Sequence, residues 1–367
     1  MKVLMINSVC GIRSTGRICT DLAEEFEKKG DTVKIAYGRE SVPEKYEHYA
    51  VRIGNDYDVK ISALESRILD NAGFSNALAT KQFLNWASKY DPDLLWLHNI
   101  HGYYINVQVL FEWIKSRPKM KVRWTLHDCW AFTGHCAYFT YVKCYKWREH
   151  CFQCEQKRSY PSSLVLDHST RNFYKKKDVF TGVKNMTLIT PSYWLKGLVE
   201  QSFLSCYPVE VHHNTIDTNI FKPTPSDFRK EYHLESKKII LGVASIWERR
   251  KGLDDLIEIS HDLKDDQVIV IVGVTEEQKA KLTPNMIGIT RTNDAKELAG
   301  LYTTADVLVN PTYEDNYPTV NIEAKACGLP VITYNVGGSP ESVPKENVIE
   351  TGNIEKLEQR INEILDK

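Results

Sequence analysis

The chain has 367 residues, a length that predicts two domains at roughly 150 residues per domain. Its 47 Lys and Arg residues nearly balance its 48 Asp and Glu residues, so the net charge of −1 provides no overall attraction to nucleic acid or to an anionic membrane. Hydrophobic residues make up 42% and charged residues 26%, which is ordinary globular composition and excludes a disordered chain.

The sequence shows no features of membrane insertion or secretion. No apolar run approaches the roughly 18 residues that a membrane-spanning helix needs. The first residues, MKVLMINSVCG, lack a segment typical of a cleaved leader, so we expect no signal peptide. Nine cysteines without a leader indicate a reducing, cytosolic compartment rather than a disulfide framework.

Short apolar runs alternate with helical stretches along the first half of the chain. A helix is predicted within residues 12–29, ended by Gly30. The predicted strands are residues 1–6, 32–37, 94–97, 121–126 and 188–190. Such an alternation predicts an α/β domain with a parallel sheet covered by helices on both faces.

The alternation then starts again. The predicted strands of the second half are residues 238–244, 267–272, 287–289, 306–310 and 330–333, and the predicted helices are 251–263, 295–304, 319–327 and 353–366. We therefore predict two doubly wound, Rossmann-like domains facing a cleft, with ligands at the carboxyl ends of strands. The predicted divisions are a first domain at 1–205 with a Cys-rich insertion at 128–182, a second domain at 206–352, and a C-terminal helix at 353–367.

The most informative stretch is residues 306–341. A buried strand runs into the acidic loop Glu314-Asp315-Asn316, and a helix with Glu323 near its middle follows. The next strand leads to Gly337-Gly338. Backbone N–H groups at Thr319 and at the glycine pair are suited to a diphosphate, and Glu323 to the hydroxyls of a ribose. The alternative is an acidic loop beside a helix with one solvated Glu.

This stretch resembles the signature of the retaining glycosyltransferases of the GT-B fold, specifically family four. The matching residues are Asp315, then Glu323 after seven residues, the run Cys327 to Ile332, and Gly337-Gly338 followed by Glu341. The resemblance implies that Glu314 or Asp315 contacts the donor sugar. The neighbouring Asn316-Tyr317-Pro318 stands where the family often has Gly-Phe-Gly, and these three residues are assigned to the donor site as well.

Further segments resemble the same family over most of the chain. Residues 242–252, GVASIWERRKG, are similar to the strand and basic loop that open its nucleotide-binding domain. The resemblance implies that Lys251 contacts the donor diphosphate, with Arg249 or Arg250 as a second charge; a solvated basic turn is the alternative. Arginine and lysine side chains stabilise the charge that develops on a diphosphate leaving group.

The acceptor side is assigned to the first half of the chain. Gly11 and Gly16 lie in a predicted loop, residues 7–16, where the family has a glycine-bearing loop. His127 follows a predicted strand, where the resemblance implies contact with the donor sugar, and a neutral His there can donate to a hydroxyl. His98 and His101 end another strand; a site role and a structural role remain equally open for them.

The predicted insertion contains a cysteine series, C-x7-C-x6-C-x2-C. Cys136, Cys144, Cys151 and Cys154 suit tetrahedral Zn²⁺, which could order a long irregular loop; buried free thiols are the alternative. Four thiolates would close the coordination shell, so the zinc would be structural. The segment RNFYKKK, residues 171–177, is either a peripheral membrane contact or a solvated helix end.

The resemblance implies an enzyme that moves a sugar from a nucleotide-diphosphate sugar to a glycan or lipid-linked acceptor in surface polysaccharide biosynthesis. It implies retention of the anomeric configuration, no catalytic metal, no nucleic-acid partner and a cytoplasmic location, with the inner face of the membrane as an alternative. Two other hypotheses remain. One is a nucleotide-sugar epimerase or hydrolase of the same fold, and the other is a non-enzymatic binding module that uses the Cys cluster.

Overall fold

A computed structural model describes residues 1–366 of the chain, and Lys367, the last residue of the predicted C-terminal helix segment 353–367, lies outside the described residues. The chain forms two compact units that divide between His213 and Asn214. The sequence places this division eight residues earlier, after residue 205. The difference arises because a short strand, Val209–Val211, pairs with the strand Met186–Thr190 and so extends the first sheet.

The first unit contains one seven-stranded sheet. Its strands are β1 (Lys2–Ile6), β2 (Thr32–Tyr37), β3 (Ala50–Arg52), β4 (Leu94–Leu97), β5 (Lys121–Thr125), β6 (Met186–Thr190) and β7 (Val209–Val211). Its helices are α1 (Arg13–Lys28), α2 (Asp56–Leu69), α3 (Ala77–Tyr90), α4 (Val107–Lys115), α5 (Ser169–Phe180) and α6 (Tyr193–Val199). The strand order is β3-β2-β1-β4-β5-β6-β7, and every pairing is parallel.

The interior strand β1 is buried on both faces of this sheet. Val3 and Met5 belong to one apolar cluster, while Leu4 and Ile6 belong to another. All four side chains are fully buried. Successive residues of a strand point to opposite faces, so a strand that lies between two helical layers needs a continuous apolar run such as VLMI.

The second unit repeats this design with six strands. They are β8 (Lys238–Val243), β9 (Gln267–Val272), β10 (Met286–Ile289), β11 (Val307–Asn310), β12 (Val331–Tyr334) and β13 (Val348–Ile349). The helices are α7 (Phe228–Glu231), α8 (Leu253–Ile259), α9 (Glu276–Lys279), α10 (Ala295–Thr304), α11 (Thr319–Ala326) and α12 (Ile354–Leu365). The order is β10-β9-β8-β11-β12-β13, again parallel throughout.

The α/β fold with two parallel sheets is confirmed, and all ten predicted strands are present. Two details differ from the predictions. The predicted loop at 7–16 ends earlier, because α1 begins at Arg13 and Gly16 therefore lies inside the helix. The predicted helix 251–263 is shorter, since Gly252 has a positive φ of 76° and α8 begins only after it.

Each sheet has one point where the strand order reverses. In the first unit this point lies between β1 and β4, and in the second between β8 and β11. The loops that leave the carboxyl ends of two such strands run in opposite directions and leave a crevice between them, which is where open α/β sheets bind ligands. Residues at these two places are therefore the first candidates for a site.

The predicted Cys-rich insertion lies between β5 and β6. It contains short 3₁₀ turns and one regular helix, α5. Phe132, Phe139 and Trp147 are buried and contact one another, with ring centroids 5.1–6.3 Å apart. These aromatic side chains belong to the same apolar cluster as Leu4 and Ile6 of β1, so the segment extends the core of the first unit, which the sequence did not indicate.

Within residues 1–366, no helix combines the length and the apolar character that crossing a lipid bilayer requires.

Candidate functional site

A basic turn leaves the end of β8 in the second unit. Residues Arg249–Lys251 form one 3₁₀ turn, and Gly252 ends it in the left-handed region. A Cβ at Gly252 would lie 2.1 Å from the carbonyl oxygen of Pro311, just beyond β11. Only glycine permits this approach, which holds the basic turn against the loop that follows β11.

The basic turn and the acidic loop are joined by charged contacts. Lys251 Nζ lies 2.5 Å from Asp315 Oδ2, and both side chains are more than four-fifths buried. Arg250 donates from Nη1 to the carbonyl oxygen of Glu314 at 2.8 Å. Burial alone would raise the pKa of Asp315, but the charges of Lys251 and Arg250 outweigh it and lower that pKa. Asp315 is therefore ionised at neutral pH.

The backbone of the acidic loop is fixed from both sides. Tyr313 N donates to the carbonyl oxygen of Arg250 at 2.7 Å, and Gly338 N donates to that of Asp315 at 2.9 Å. Gly337 has a φ of 62°, and a Cβ there would meet the Asp315 carbonyl oxygen at 2.1 Å. The predicted glycine pair thus lies against the acidic loop, where it permits close backbone contact.

A buried carboxylate anchors the start of this loop. Asp255, on α8, accepts hydrogen bonds from the hydroxyls of Tyr313 at 2.9 Å and Tyr334 at 2.5 Å. Burial raises the pKa of Asp255, although both tyrosine hydrogen bonds act against that rise. The three side chains connect α8, the loop after β11 and β12. No sequence motif indicated this network, because its members are 58 and 79 residues apart.

Helix α11 carries the second acidic residue of the motif. It begins at Thr319, directly after Pro318, and buries Glu323. The hydroxyl of Tyr302, on α10, donates to Glu323 Oε2 at 3.0 Å and so orients the carboxylate. Asn316 and Tyr317 lie buried in the preceding loop, and the Tyr317 carbonyl oxygen accepts from Asn214 Nδ2 at 3.0 Å.

The second unit therefore brings the predicted donor residues together at the β8–β11 reversal. Lys251 contacts the Asp315 carboxylate, Arg250 the Glu314 carbonyl oxygen, and the glycine pair the Asp315 backbone. Glu314 is buried in the same loop, whereas Arg249 is exposed. Tyr302 was missed by the sequence analysis, since a tyrosine in a helix has no motif that marks it as a carboxylate partner.

In the first unit the loop after β1 contacts the end of β4. The side chain of Asn7 donates to the Val9 carbonyl oxygen at 2.8 Å, and its Oδ1 accepts from Asn99 N at 3.2 Å. Gly11 N donates to the carbonyl oxygen of Gly16 at 3.2 Å, so the two predicted glycines remain neighbours although Gly16 is helical. Asn7 joins the two loops of the β1–β4 reversal.

Two histidines meet where β4 and β5 end. His98 Nδ1 and His127 Nε2 are 3.1 Å apart, and the His98 ring stacks on that of Trp96. Burial lowers the pKa of His98 and brings that of His127 down to about 4. Both imidazoles are therefore neutral at neutral pH, and one ring nitrogen of the pair donates to the other.

A second group of hydrogen-bonded side chains, centred on His101, follows β4 and β5. His101 Nε2 is 2.8 Å from Asp128 Oδ2, and His101 Nδ1 is 3.0 Å from the hydroxyl of Tyr160. Asp128 Oδ1 also accepts from Trp130 N at 2.9 Å. Burial alone would raise the pKa of Asp128, but the contacts with His101 lower it. Tyr160 belongs to the predicted insertion, so this segment supplies a residue to the edge of the sheet.

The four cysteines of the predicted zinc site interact within the insertion. The thiols of Cys136 and Cys154 share a hydrogen bond, which is the main reason that the pKa of Cys154 is lowered to about 7. Gly134 N donates to Cys151 Sγ at 3.1 Å. Among residues 1–366, however, no group of three or more His, Cys, Asp or Glu side chains is arranged to hold a metal ion. The zinc site at Cys136, Cys144, Cys151 and Cys154 stays a prediction.

Helix α5 contains the basic segment 171–177. Phe173 and Lys176 are buried there, and Lys176 donates to the carbonyl oxygens of Trp130 and Thr133 at 2.7 and 3.0 Å. Part of this segment therefore supports the insertion instead of facing solvent.

Comparison with known proteins gives a family match for part of the chain. Residues 224–367 match the family model of the glycosyl transferases group 1. The putative colanic acid biosynthesis glycosyl transferase WcaC of Escherichia coli K12 is 24% identical over 277 residues, which are 69% of this chain and 62% of WcaC. The processive diacylglycerol alpha-glucosyltransferase of Acholeplasma laidlawii is 26% identical over 45% of this chain and 52% of its own length. The alignments thus span less than two thirds of these two relatives.

Solved structures show the same fold over the whole chain. The sucrose-phosphate synthase of Thermosynechococcus elongatus superposes with a TM-score of 0.72 at 16% identity, covering 100% of this chain and 90% of its own. Anabaena HepE, solved with UDP and glucose, gives a TM-score of 0.66 at 14% identity, covering 100% of this chain and 90% of its own. Residues 224–367 therefore belong to the glycosyl transferases group 1 family, and the chain has the GT-B glycosyltransferase fold.

Proposed function

We propose that this chain is a glycosyltransferase that moves a sugar from a nucleotide-diphosphate sugar to a glycan or lipid-linked saccharide in surface polysaccharide biosynthesis. The observation that carries this proposal is a pair of contacts at the β8–β11 reversal, between Lys251 and the Asp315 carboxylate and between Arg250 and the Glu314 carbonyl oxygen. Two cations and a carboxylate at the carboxyl edge of a parallel sheet suit a donor that has both a diphosphate and hydroxyl groups.

On the donor side, Lys251 and Arg250 would hold the diphosphate, together with backbone N–H groups at Thr319 and at the glycine pair. Glu323 would accept the ribose hydroxyls, since its carboxylate is oriented by Tyr302. Asp315 would accept a hydroxyl of the donor sugar. Lys251 would then lie between the Asp315 carboxylate and the donor diphosphate, and it would stabilise the leaving diphosphate as the glycosidic bond breaks.

On the acceptor side, His127 would donate a hydrogen bond to a sugar hydroxyl, because its lowered pKa keeps it neutral and able to donate and to accept. We propose that the reaction retains the anomeric configuration, with a donor diphosphate oxygen as the base and no catalytic metal. His98 and the glycine-bearing loop at Gly11 would lie beside the acceptor.

The names of the relatives support the proposed acceptor and donor classes. WcaC is named for colanic acid biosynthesis, the Acholeplasma laidlawii enzyme for diacylglycerol, and HepE was solved with UDP and glucose. A polysaccharide built on a lipid carrier is consistent with these names. We propose a cytoplasmic location, where nucleotide sugars would serve as donors.

The donor site can be tested by thermal unfolding of the full chain with UDP, GDP, ADP and dTDP. We expect one diphosphate to raise the melting temperature selectively, because a ligand that binds only the folded state stabilises it. Lys251→Ala should abolish the shift, whereas Lys281→Ala should keep it, since Lys281 is an exposed lysine of the same unit. If none of the four diphosphates raises the melting temperature, the proposed donor site is contradicted.

The reaction itself is tested with the nucleotide sugar whose diphosphate gives the shift. We expect sugar transfer only when a saccharide or lipid-linked acceptor is present, and an unchanged anomeric configuration in the product by NMR. Release of free sugar or a changed donor without acceptor would instead identify a hydrolase or an epimerase.

A further inference from the structure

The hydroxyl group of Tyr160 lies at the strand-order reversal of the first unit. A Cβ placed on Gly102, in the loop after β4, would lie 3.7 Å from the Tyr160 hydroxyl oxygen and 3.6 Å from the Cβ of Ser8, in the loop after β1. The reversal between β1 and β4 is the place where an open α/β sheet binds ligands. Tyr160 therefore brings the insertion between β5 and β6 to the ligand-binding edge of this sheet.

Two largely buried side chains hold the Tyr160 hydroxyl in this position. The side chains of His101 and Asp128 are 6% and 12% exposed, and His101 Nε2 lies 2.8 Å from Asp128 Oδ2. An ionised carboxylate only accepts hydrogen bonds, so His101 Nε2 carries a hydrogen. In the neutral imidazole Nδ1 carries none, and it accepts the hydroxyl hydrogen of Tyr160 at 3.0 Å. The lone pairs of the Tyr160 oxygen therefore remain as acceptors for a ligand.

The ring of Tyr160 is accessible although its hydroxyl is fixed. The residue is 37% exposed, and the ring of Tyr103 lies against it at 77°, with the ring centroids 6.3 Å apart. An aromatic ring that is already held in place loses little conformational entropy when a ligand packs on it. A pyranose has apolar C–H faces that suit such a ring, and its hydroxyl groups need hydrogen-bond partners beside it.

Arg39 supplies hydrogen-bond donors beside Tyr160. The Cβ position on Gly102 that lies near the Tyr160 oxygen is also 3.5 Å from Arg39 Nη1. Arg39 N donates to the carbonyl oxygen of Ser8 at 3.0 Å, which ties the loop after β2 to the loop after β1. A guanidinium only donates, whereas the bound Tyr160 oxygen accepts, so the two groups together suit a hydroxyl group, which does both.

We propose that Tyr160 and Arg39 form a subsite for a sugar ring of the acceptor, and that His101 and Asp128 position Tyr160 for this contact. The sugar would pack a C–H face on the Tyr160 ring, donate a hydroxyl hydrogen to the Tyr160 oxygen and accept from Arg39. An aromatic surface with a few convergent polar groups is typical of a small-molecule site. The Cys-rich insertion would then take part in the choice of acceptor. This subsite rests on the proposed function, because it takes the acceptor of that reaction.

Saturation-transfer difference NMR of the full chain tests the subsite. The probes are the methyl glycosides of glucose, galactose, N-acetylglucosamine and glucuronic acid. We expect at least one glycoside to bind, with the strongest saturation on the hydrogens of one ring face. Tyr160→Ala should weaken this binding at least about tenfold. Tyr160→Phe, which keeps the ring and lacks the hydroxyl, and Arg39→Met should each weaken it about threefold to tenfold.

Substitutions of His101 separate a positioning role from a structural one. Asn has an amide atom at the place of Nδ1, so His101→Asn should keep most of the glycoside binding. His101→Leu has no hydrogen-bonding group there and should weaken binding about as much as Tyr160→Phe does. If His101→Leu binds the glycoside as tightly as the unchanged chain, or if His101→Asn binds no better than His101→Leu, the positioning role is overturned.

Tyr145→Ala is the matched control, because Tyr145 is an exposed tyrosine of the same insertion. It should leave glycoside binding unchanged, and every variant should keep the far-ultraviolet circular dichroism of the unchanged chain. Failure of the unchanged chain to bind any of the four glycosides would overturn the subsite, as would binding that survives Tyr160→Ala.

Thermal unfolding with the four nucleoside diphosphates, on the same samples, separates this subsite from the proposed function. Selective stabilisation by one diphosphate without glycoside binding would reject the subsite alone. Glycoside binding that depends on Tyr160, without stabilisation by any diphosphate, would support the subsite and contradict the proposed donor site.

Discussion

The ion pair between Lys251 and Asp315 allows a quantitative test of the candidate donor site, through its contribution to the free energy of unfolding. Its atoms are 2.5 Å apart, and the two side chains are 17% and 18% exposed. Exposed ion pairs contribute about 0–1 kcal/mol, whereas loss of one partner from a buried pair costs about 3–5 kcal/mol. This pair lies between these limits, so we expect Asp315→Asn to lower the free energy of unfolding of the second unit by about 2 kcal/mol.

A double-mutant cycle isolates the interaction. The variants are Lys251→Met, Asp315→Asn and both together, and we expect the double variant to lose about 1–2 kcal/mol less than the sum of the single losses. Hydrogen exchange of peptides from β8 and β11 measures this free energy in the full chain and separates the second unit from the first. A coupling energy below about 0.5 kcal/mol would refute the claim that the pair is held in place.

The pH dependence of the same pair has a definite sign. The pKa of Asp315 is lower in the folded chain than its ordinary value of about 4. Its contribution to stability is therefore present above that ordinary value and is lost as the pH falls through the lowered folded-state pKa. The difference between the unchanged chain and Asp315→Asn should accordingly shrink only below about pH 4.

Three further predictions concern other parts of the candidate site. Tyr302→Phe should weaken binding of the nucleoside diphosphate about tenfold in calorimetry, because the hydrogen bond that orients the Glu323 carboxylate is lost, and it should leave inorganic pyrophosphate binding unchanged. The free energy of unfolding of the first unit should fall by up to about 3 kcal/mol as the pH is lowered from 6.5 to 4, because the pKa of His127 falls to about 4 on folding. Urea titrations of His127→Gln should lack this contribution of His127. Gly252→Ala should lower the melting temperature more than Gly328→Ala, because both glycines have positive φ but only Gly252 has a carbonyl oxygen within 4 Å of a new Cβ. Equal losses in the two glycine variants would contradict the close approach.

The elements with a strong local pattern could be predicted from the sequence. The strand Gln267–Val272 is a continuous apolar run, and the helix Thr319–Ala326 ends where Gly328 and Pro330 permit no further turn. The strands β3, β7 and β13 were missed because they have only two or three residues. Such short segments contain no period of their own, and their structure comes from pairing with a neighbouring strand.

The candidate site was predictable only as far as its residues follow the ends of strands. Lys251 and Asp315 in the second unit, and His127 in the first, could be placed because the parallel strands of each sheet bring their carboxyl ends to one edge of that sheet. The partners that orient them could not, because the contacts of Glu323 with Tyr302 and of His101 with Tyr160 connect distant parts of the chain. A sequence without an alignment contains no signal for such contacts.

The scaffold around the acidic loop has a consequence for protein engineering. Tyr313 is held by Asp255 and by the backbone of Arg250, and the carbonyl oxygens of Asp315 and Tyr317 are bound by Gly338 N and by the Asn214 side chain. The course of the loop is thus set largely by backbone contacts and by residues outside 314–317. Under the proposed function, a library randomised at the buried Asn316 would vary a donor-site side chain while the backbone contacts of the loop remain, and selection for a new donor sugar should begin there.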